Sequence, residues 1–288
     1  MYISYSNEAI DFFTSEIKTF EKVKNRLSGH EVMAVQTKHI ENVRAVIRRI
    51  KSAVKFKIPA CDQILADEEM PMNALKNFVE IANLPYSCIC IEMKIFEENF
   101  KDEGGCSAIV IAHEDEDRIH VNLVYKLKKN WYLINRKNTG ELITCYIDKK
   151  TCEAVMEGFE KNQDNADQHE ALIEWFHDSS LRAVANLLCT LSCSNTSIED
   201  SSEKPSKVKN DLRIQKKKLP FFFFFFLTID SGKNKNRESG FNGGTHASPR
   251  VHLRRGHIRR LSTKNVWVNA CVVGDKDKGL IEKEYVVS

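Results

Sequence analysis

Between Asn7 and Leu27 the apolar residues fall at Ile10, Phe13, Ile17, Phe20, Val23 and Leu27, three and four apart, with Ser6 placed to cap. That spacing predicts an amphipathic helix, ended by Ser28-Gly29. A second helical pattern runs through Ile40, Val43, Ile47, Ile50 and Val54 before Pro59, and a third, shorter one spans Met72 to Ile81. At Leu84-Pro85 the period drops to two: in YSCICIEM, Ser87, Ile89, Ile91 and Met93 alternate with Cys88, Cys90 and Glu92. A sheet begins here. Further strands are predicted at Ser107 to Ala112, Arg118 to Tyr125, Trp131 to Asn135 and Leu142 to Ile147, separated by EDED, KKN and KNTG turns, as in an antiparallel meander. Helical spacing returns from Thr151 to Phe159 and from about Asp167 to Cys193, through Leu172, Trp175, Phe176, Leu181, Val184 and Leu188. Such helices would cover one face of the sheet.

Beyond Cys193 the pattern fades. Residues 194–218 are mostly Ser, Lys, Asp, Glu and Asn, which fits an exposed, basic linker. PFFFFFFLTID follows, its six phenylalanines suiting either a strand buried on both faces or an aggregation-prone edge. Ser231 to Gly244 is rich in Gly, Asn and Ser and reads as a loop. In KNVWVNACVV, Val266, Val268, Ala270 and Val272 alternate with Trp267, Asn269 and Cys271, predicting a strand that forms a hairpin with His257 to Leu261. Val251 and Leu253 share the parity of Leu261 while Ile258 does not, so a bulge or break is expected at Gly256. The same glycine argues against a helix capped by Ser248. The expected fold class is α+β: a helical N-terminal part, a central antiparallel sheet covered by helices, a linker and a small basic C-terminal β region. The boundaries are a body at 1–193, the linker at 194–218 and the C-terminal region at 219–288.

Charge sharpens that division. The chain of 288 residues carries a net charge of only +3, yet residues 204–264 hold 16 lysines and arginines against three acids, Asp211, Asp230 and Glu238. The remainder is acidic. This polarity points to an acidic partner for the C-terminal part, RNA or DNA first, or to the chain's own acidic body. Nine cysteines without a regular framework read as reduced thiols, the N-terminus lacks a signal-peptide pattern, and the longest apolar run, Phe221 to Leu227, falls far short of a membrane span. A soluble protein of the cytoplasm is expected.

Candidate chemistry concentrates in SPRVHLRRGHIRRL, from Ser248 to Leu261, which with His246 holds three histidines and five arginines and no acid. Arg250, Arg254, Arg255, Arg259 and Arg260, joined by Lys216, Lys217 and Lys218, suit phosphate neutralisation, with His252, Gly256 and His257 completing a nucleic-acid or partner-binding set. The bland alternative is a solvated hairpin face. His252 and His257 could also serve as the base and acid of a metal-independent ribonuclease, although neighbouring arginines favour neutral imidazole. The same arginines oppose a divalent ion at His246, His252 and His257. Cys88-x-Cys90 and Cys189-x3-Cys193 lack a second matched pair, so they read as core thiols rather than zinc ligands. The acidic turn His113 to Asp117 could attract a cation but reads as a solvated turn. CxxC, P-loop, GxGxxG and GxSxG patterns are absent from the sequence. Binding is therefore expected over catalysis, with no cofactor and no metal.

LPYSCICIEM at Leu84 to Met93, together with RVHLRRGHIRRL, resembles the phage- and plasmid-encoded family that contains a type V-A anti-CRISPR inhibitor. The family's His-x-Arg-Arg-Gly-His motif corresponds to His252, Arg254, Arg255, Gly256 and His257, with Leu253 at the free position. The PFFFFFFL run departs from the family pattern. The resemblance implies a helical N-terminal part and a central sheet. It also implies interference with bacterial immunity, in which the inhibitor recognises the nascent N-terminal segment of a type V CRISPR effector and promotes loss of the message being translated. The expected partners are that polypeptide and RNA or the ribosome, in a bacterial host cell. A general RNA- or DNA-binding phage protein is the alternative.

Overall fold

The computed structural model describes residues 4–24, 30–58, 83–95, 106–134, 142–157, 168–200, 204–229, 250–254, 257–268, 271–273 and 275–280. The predicted helix at Met72 to Ile81 and the loop at 231–244 lie outside these residues. Helix α1 (Tyr5–Val23) is capped by Ser4, whose hydroxyl accepts from the Asn7 amide at 3.2 Å. Ser6, the expected cap, sits inside the first turn, where its amide donates to the buried Glu92 carboxylate at 2.6 Å. Helix α2 (His30–Ser52) stops before Val54, which the periodicity assigned to the helix and which instead opens strand β1 (Val54–Lys57). Lys55 secures that stop by donating to the carbonyls of Ile50 and Ala53.

Strands β2 (Cys88–Ile95), β3 (Cys106–Glu114), β4 (Arg118–Leu127), β5 (Asn130–Leu133) and β6 (Thr144–Asp148) form where period two predicts them. Strand β7 (Ala154–Glu157) occupies the predicted helix at Thr151 to Phe159. Cys152 takes a left-handed backbone (φ 55°), which breaks a right-handed helix, and Val155 and Met156 pair with Tyr146 and Cys145 of β6. Helix α3 (Gln168–Leu191) follows as expected. The stretch 194–218, expected as a linker, instead contains strand β8 (Thr196–Asp200) and helix α4 (Lys207–Gln215). Strand β9 (Phe225–Ile229) then enters the sheet between β1 and β8.

The strand order is β7-β6-β4-β3-β2-β1-β9-β8, with β5 paired to β4 off this path. The fold is α+β. Its sheet is mixed rather than antiparallel as expected, because β1 runs parallel to both β2 and β9. Helices cover both faces rather than one. Ala9, Phe13, Val43, Val46 and Ile50 of α1 and α2 pack on Cys90, Ile109, Ile111 and Val124. On the other face, Phe176, Val184 and Leu188 of α3 pack on Ile89, Ile91, Val110 and Val121. A strand covered on both sides needs apolar residues at every position, hence the unbroken run Ala108 to Ala112 in β3. Each fully buried Ile, Leu or Phe here contributes about 1.5–3 kcal/mol.

The phenylalanine run is neither a wholly buried strand nor a bare edge. Phe224 is buried, Phe225 meets Phe56 and Tyr86, and Phe222 packs beneath Lys55, whose ammonium lies 4.0 Å from its ring centre. Phe223 is 62% exposed. No helix among the described residues is long and apolar enough to cross a membrane.

Candidate functional site

The arginine- and histidine-rich segment forms two strands in two separate ladders. Strand β10 (Arg250–Arg254) pairs antiparallel with β13 (Cys271–Val273), His252 opposite Val273 and Arg254 opposite Cys271, and parallel with β14 (Asp275–Leu280). Strand β11 (His257–Arg260) pairs with β12 (Asn265–Val268), His257 opposite Val268 and Arg260 opposite Asn265. The expected hairpin is present, closed by the Leu261 amide on the Lys264 carbonyl at 2.8 Å. Arg255 and Gly256, including the expected bulge, lie outside the described residues. The backbone changes ladder across them, so His252 and His257 belong to different sheets. Arg259 is exposed.

Lys216, Lys217 and Lys218 close helix α4. Lys216 is its C-cap, and Lys217 adopts a left-handed turn (φ 56°) that sends the chain back along the helix. Arg213 then reaches the Leu219 carbonyl at 2.6 Å, and Asn210 accepts from the Phe221 amide at 2.9 Å. Asp11 of α1 holds this unit to the body through Arg213 at 3.1 Å and Lys218 at 2.9 Å. The acidic body thus grips part of the basic segment, and Lys218 spends its charge on Asp11. Lys216 and Lys217 remain exposed.

The register of β3 and β4 assembles a second constellation that the sequence did not suggest. His113 lies opposite His120, and their rings stack at 5.0 Å between centres. His120 Nε2 lies 2.8 Å from Asp115 Oδ2, and Tyr146 of β6 flanks His120 beneath the Arg118 guanidinium. Burial, with the charges of Arg49 and His120, pushes the His113 pKa down to about 4. The bond to His120 and the amides of Arg118 and Asp117 hold Asp115 at about 2. This corner can keep one imidazole neutral and orient the other.

Its carboxylates are already engaged. Lys149 bonds Glu114 at 3.2 Å and the Asp115 carbonyl at 2.8 Å, Lys150 meets Asp117 at 2.8 Å, and Glu114 also accepts from the Leu84 amide. The cavity at this turn is lined by Asp115, Glu116, Asp117 and Arg118, whose charge does not favour phosphate. Among the described residues no group of three His, Cys, Asp or Glu side chains is arranged to hold a metal ion. Alternation alone could have placed His113 and His120 on inner strands, but only the register shows that they meet.

Seven cysteines, Cys88, Cys90, Cys106, Cys145, Cys152, Cys189 and Cys193, are free thiols, and all but Cys88 are buried. Burial raises the Cys90 pKa and pushes Cys145 up to about 12, leaving both protonated and unreactive.

A family model described as AcrVA2-like, the anti-CRISPR type V subtype A2 family, matches residues 61–274. The match takes in strands β2 to β13 and both basic strands. No curated protein and no solved structure matches the chain.

Proposed function

The chain belongs to the anti-CRISPR type V subtype A2 family, and from that premise we propose that it represses synthesis of a type V CRISPR effector by binding, without turnover. The family match across most of the chain carries this reading, because it includes strands β2 to β9 of the sheet, α3 and the His-x-Arg-Arg-Gly-His segment together. In this account the protein is made by a phage or plasmid and works in the cytoplasm of the bacterial host. It engages the effector's nascent N-terminal segment on the ribosome and brings about loss of the message.

Two physical features support binding over cleavage. The paired histidines of the sequence motif sit in different ladders. The lysines beside the stacked pair His113 and His120 are committed to Glu114 and Asp117, so neither is free to hold the phosphate that a nuclease must bind. Arg250, Arg254, Arg259 and Arg260 on two short strands instead suit contact with phosphate, for which arginine supplies a planar fork.

The test is co-purification of the tagged protein from cells translating the effector, with and without ribonuclease. Recovery of the effector's N-terminal segment in both samples supports direct polypeptide recognition. Recovery only without ribonuclease assigns the contact to RNA, and recovery in neither sample removes the proposal.

A further inference from the structure

Helix α4 and the strap that doubles back along it carry charges the fold leaves unmatched. Lys207, Lys209, Lys216 and Lys217 are exposed, and among the described residues no carboxylate pairs with any of them. This contrasts with Arg213 and Lys218, which share Asp11. Only one acid, Asp211, lies within the helix, and none of its residues is buried. The helix is thus held by one face, through Asn210 and Arg213, and turns its remaining surface to solvent. Helical geometry places Lys209 and Lys216 on one stripe, about 10 Å apart along the axis.

The strap adds an aromatic. Leu219 lies level with Arg213 and Phe221 level with Asn210, so the strap runs antiparallel to α4. Two residues further along the strap stands Phe223. Phe222 and Phe224 on either side of it turn inward, while Phe223 stands 62% exposed. An uncovered ring of this size on the same hairpin as unmatched lysines meets the two needs of a single strand: cations for the phosphates and a flat apolar face for an unpaired base. A duplex offers no free base face to it.

We propose that the α4 hairpin, through Lys207, Lys209, Lys216, Lys217 and Phe223, is a contact surface for single-stranded nucleic acid, separate from the basic strands β10 and β11. Of the three lysines singled out in the sequence at 216–218, Lys218 is committed to Asp11, while Lys207 and Lys209 join the set. Val208, Leu212 and Ile214 are also exposed, so an acidic polypeptide with an apolar groove is the competing occupant. The unmatched charge and the ring favour the nucleic acid.

The test is fluorescence anisotropy of the full chain with a fluorescein-labelled oligouridine of about 15 nucleotides at about 50 mM salt. Duplex RNA of equal length and polyglutamate serve as competitors. The expected result is binding to the single strand that weakens about tenfold in Phe223→Ala. It should weaken further, with a shallower salt dependence, in the double variant Lys209→Glu, Lys216→Glu. All these side chains are exposed, and an unchanged melting temperature verifies the fold. The proposal is overturned by absent binding, by duplex competing as well as single strand, or by affinity untouched in both variants. Effective competition by polyglutamate, with loss of binding in Val208→Ser, Leu212→Ser but not in Phe223→Ala, overturns it in favour of a polypeptide. Binding is read without an effector, so RNA contact stands or falls separately from repression of effector synthesis.

Discussion

Lys55 and Glu92, on the paired strands β1 and β2, each grip the end of a different helix: Lys55 binds the carbonyls of Ile50 in the last turn of α2 and of Ala53 just beyond it, and Glu92 the first amides of α1. A cation at a helix C-terminus and a carboxylate at an N-terminus both oppose the helix dipole. Glu92 is 1% exposed and accepts from the Tyr5 and Ser6 amides and the Ser4 hydroxyl. Desolvation raises its pKa, against these donors. The helical layer that lies before the family match is thereby fixed to a strand inside it.

Glu92→Ala should therefore destabilise the protein by about 2–4 kcal/mol, because buried amides lose their acceptor. Glu92→Gln keeps one carbonyl acceptor and should cost less than half as much. Urea denaturation of the two variants checks the order; equal losses would show that the carboxylate does not hold α1.

Asp11 plays the corresponding part for α4. Removing it in Asp11→Ala should leave the core intact but free the hairpin, since Arg213 and Lys218 lose their shared partner. Trypsin should then cut after Lys216 to Lys218 several-fold faster than in the parent. An unchanged cleavage rate would mean that the strap is secured elsewhere.

His177 is fully buried, and neither ring nitrogen has a hydrogen-bond partner among the described residues. An unsatisfied buried polar group costs about 1–3 kcal/mol. His177→Phe should raise the urea midpoint at pH 7, the ring filling the same space without the unmet bonds. A lower midpoint would indicate that the larger ring does not fit.

The same residue sets a pH dependence. Burial lowers its folded pKa from 6.5 to about 4, so the unfolded chain binds more protons between those values. Stability from this group is fully present above pH 6.5, falls as pH drops towards about 4, and then levels off. His113 acts in the same direction over the same window. Glu92, with its raised pKa, acts in the opposite direction, so the histidine contribution is best read as a difference. The advantage of His177→Phe over the parent should grow from pH 6.5 to pH 4 in melts across that range. A constant difference would rule out a buried neutral imidazole.

The sequence announces the parts of this fold in which burial is regular. Helix α1 and strands β2 to β6 follow the alternation of apolar residues because each packs against one or two defined layers. Strand β7 escaped because Cys152, Val155, Met156 and Phe159 are spaced as on a helix, and only pairing with β6 overrides that spacing. Strand β8 and helix α4 escaped for the opposite reason: one is a polar edge and the other buries nothing, so neither imprints a period. The parallel pairing of β1 with β2 and β9 depends on long connections, which local pattern does not encode. For the site, the basic hairpin β11–β12 was legible from strand parity and turn residues. The grip of Asp11 on Lys218 spans 207 positions and left no local trace.

The central claim is repression of effector synthesis, and its most direct measurement is the level of effector protein and message in bacteria carrying a type V CRISPR locus, with and without this chain. Both should fall when the chain is present, while an unrelated transcript from the same promoter stays constant. Unchanged effector protein and message would contradict the account, whatever the protein binds in vitro.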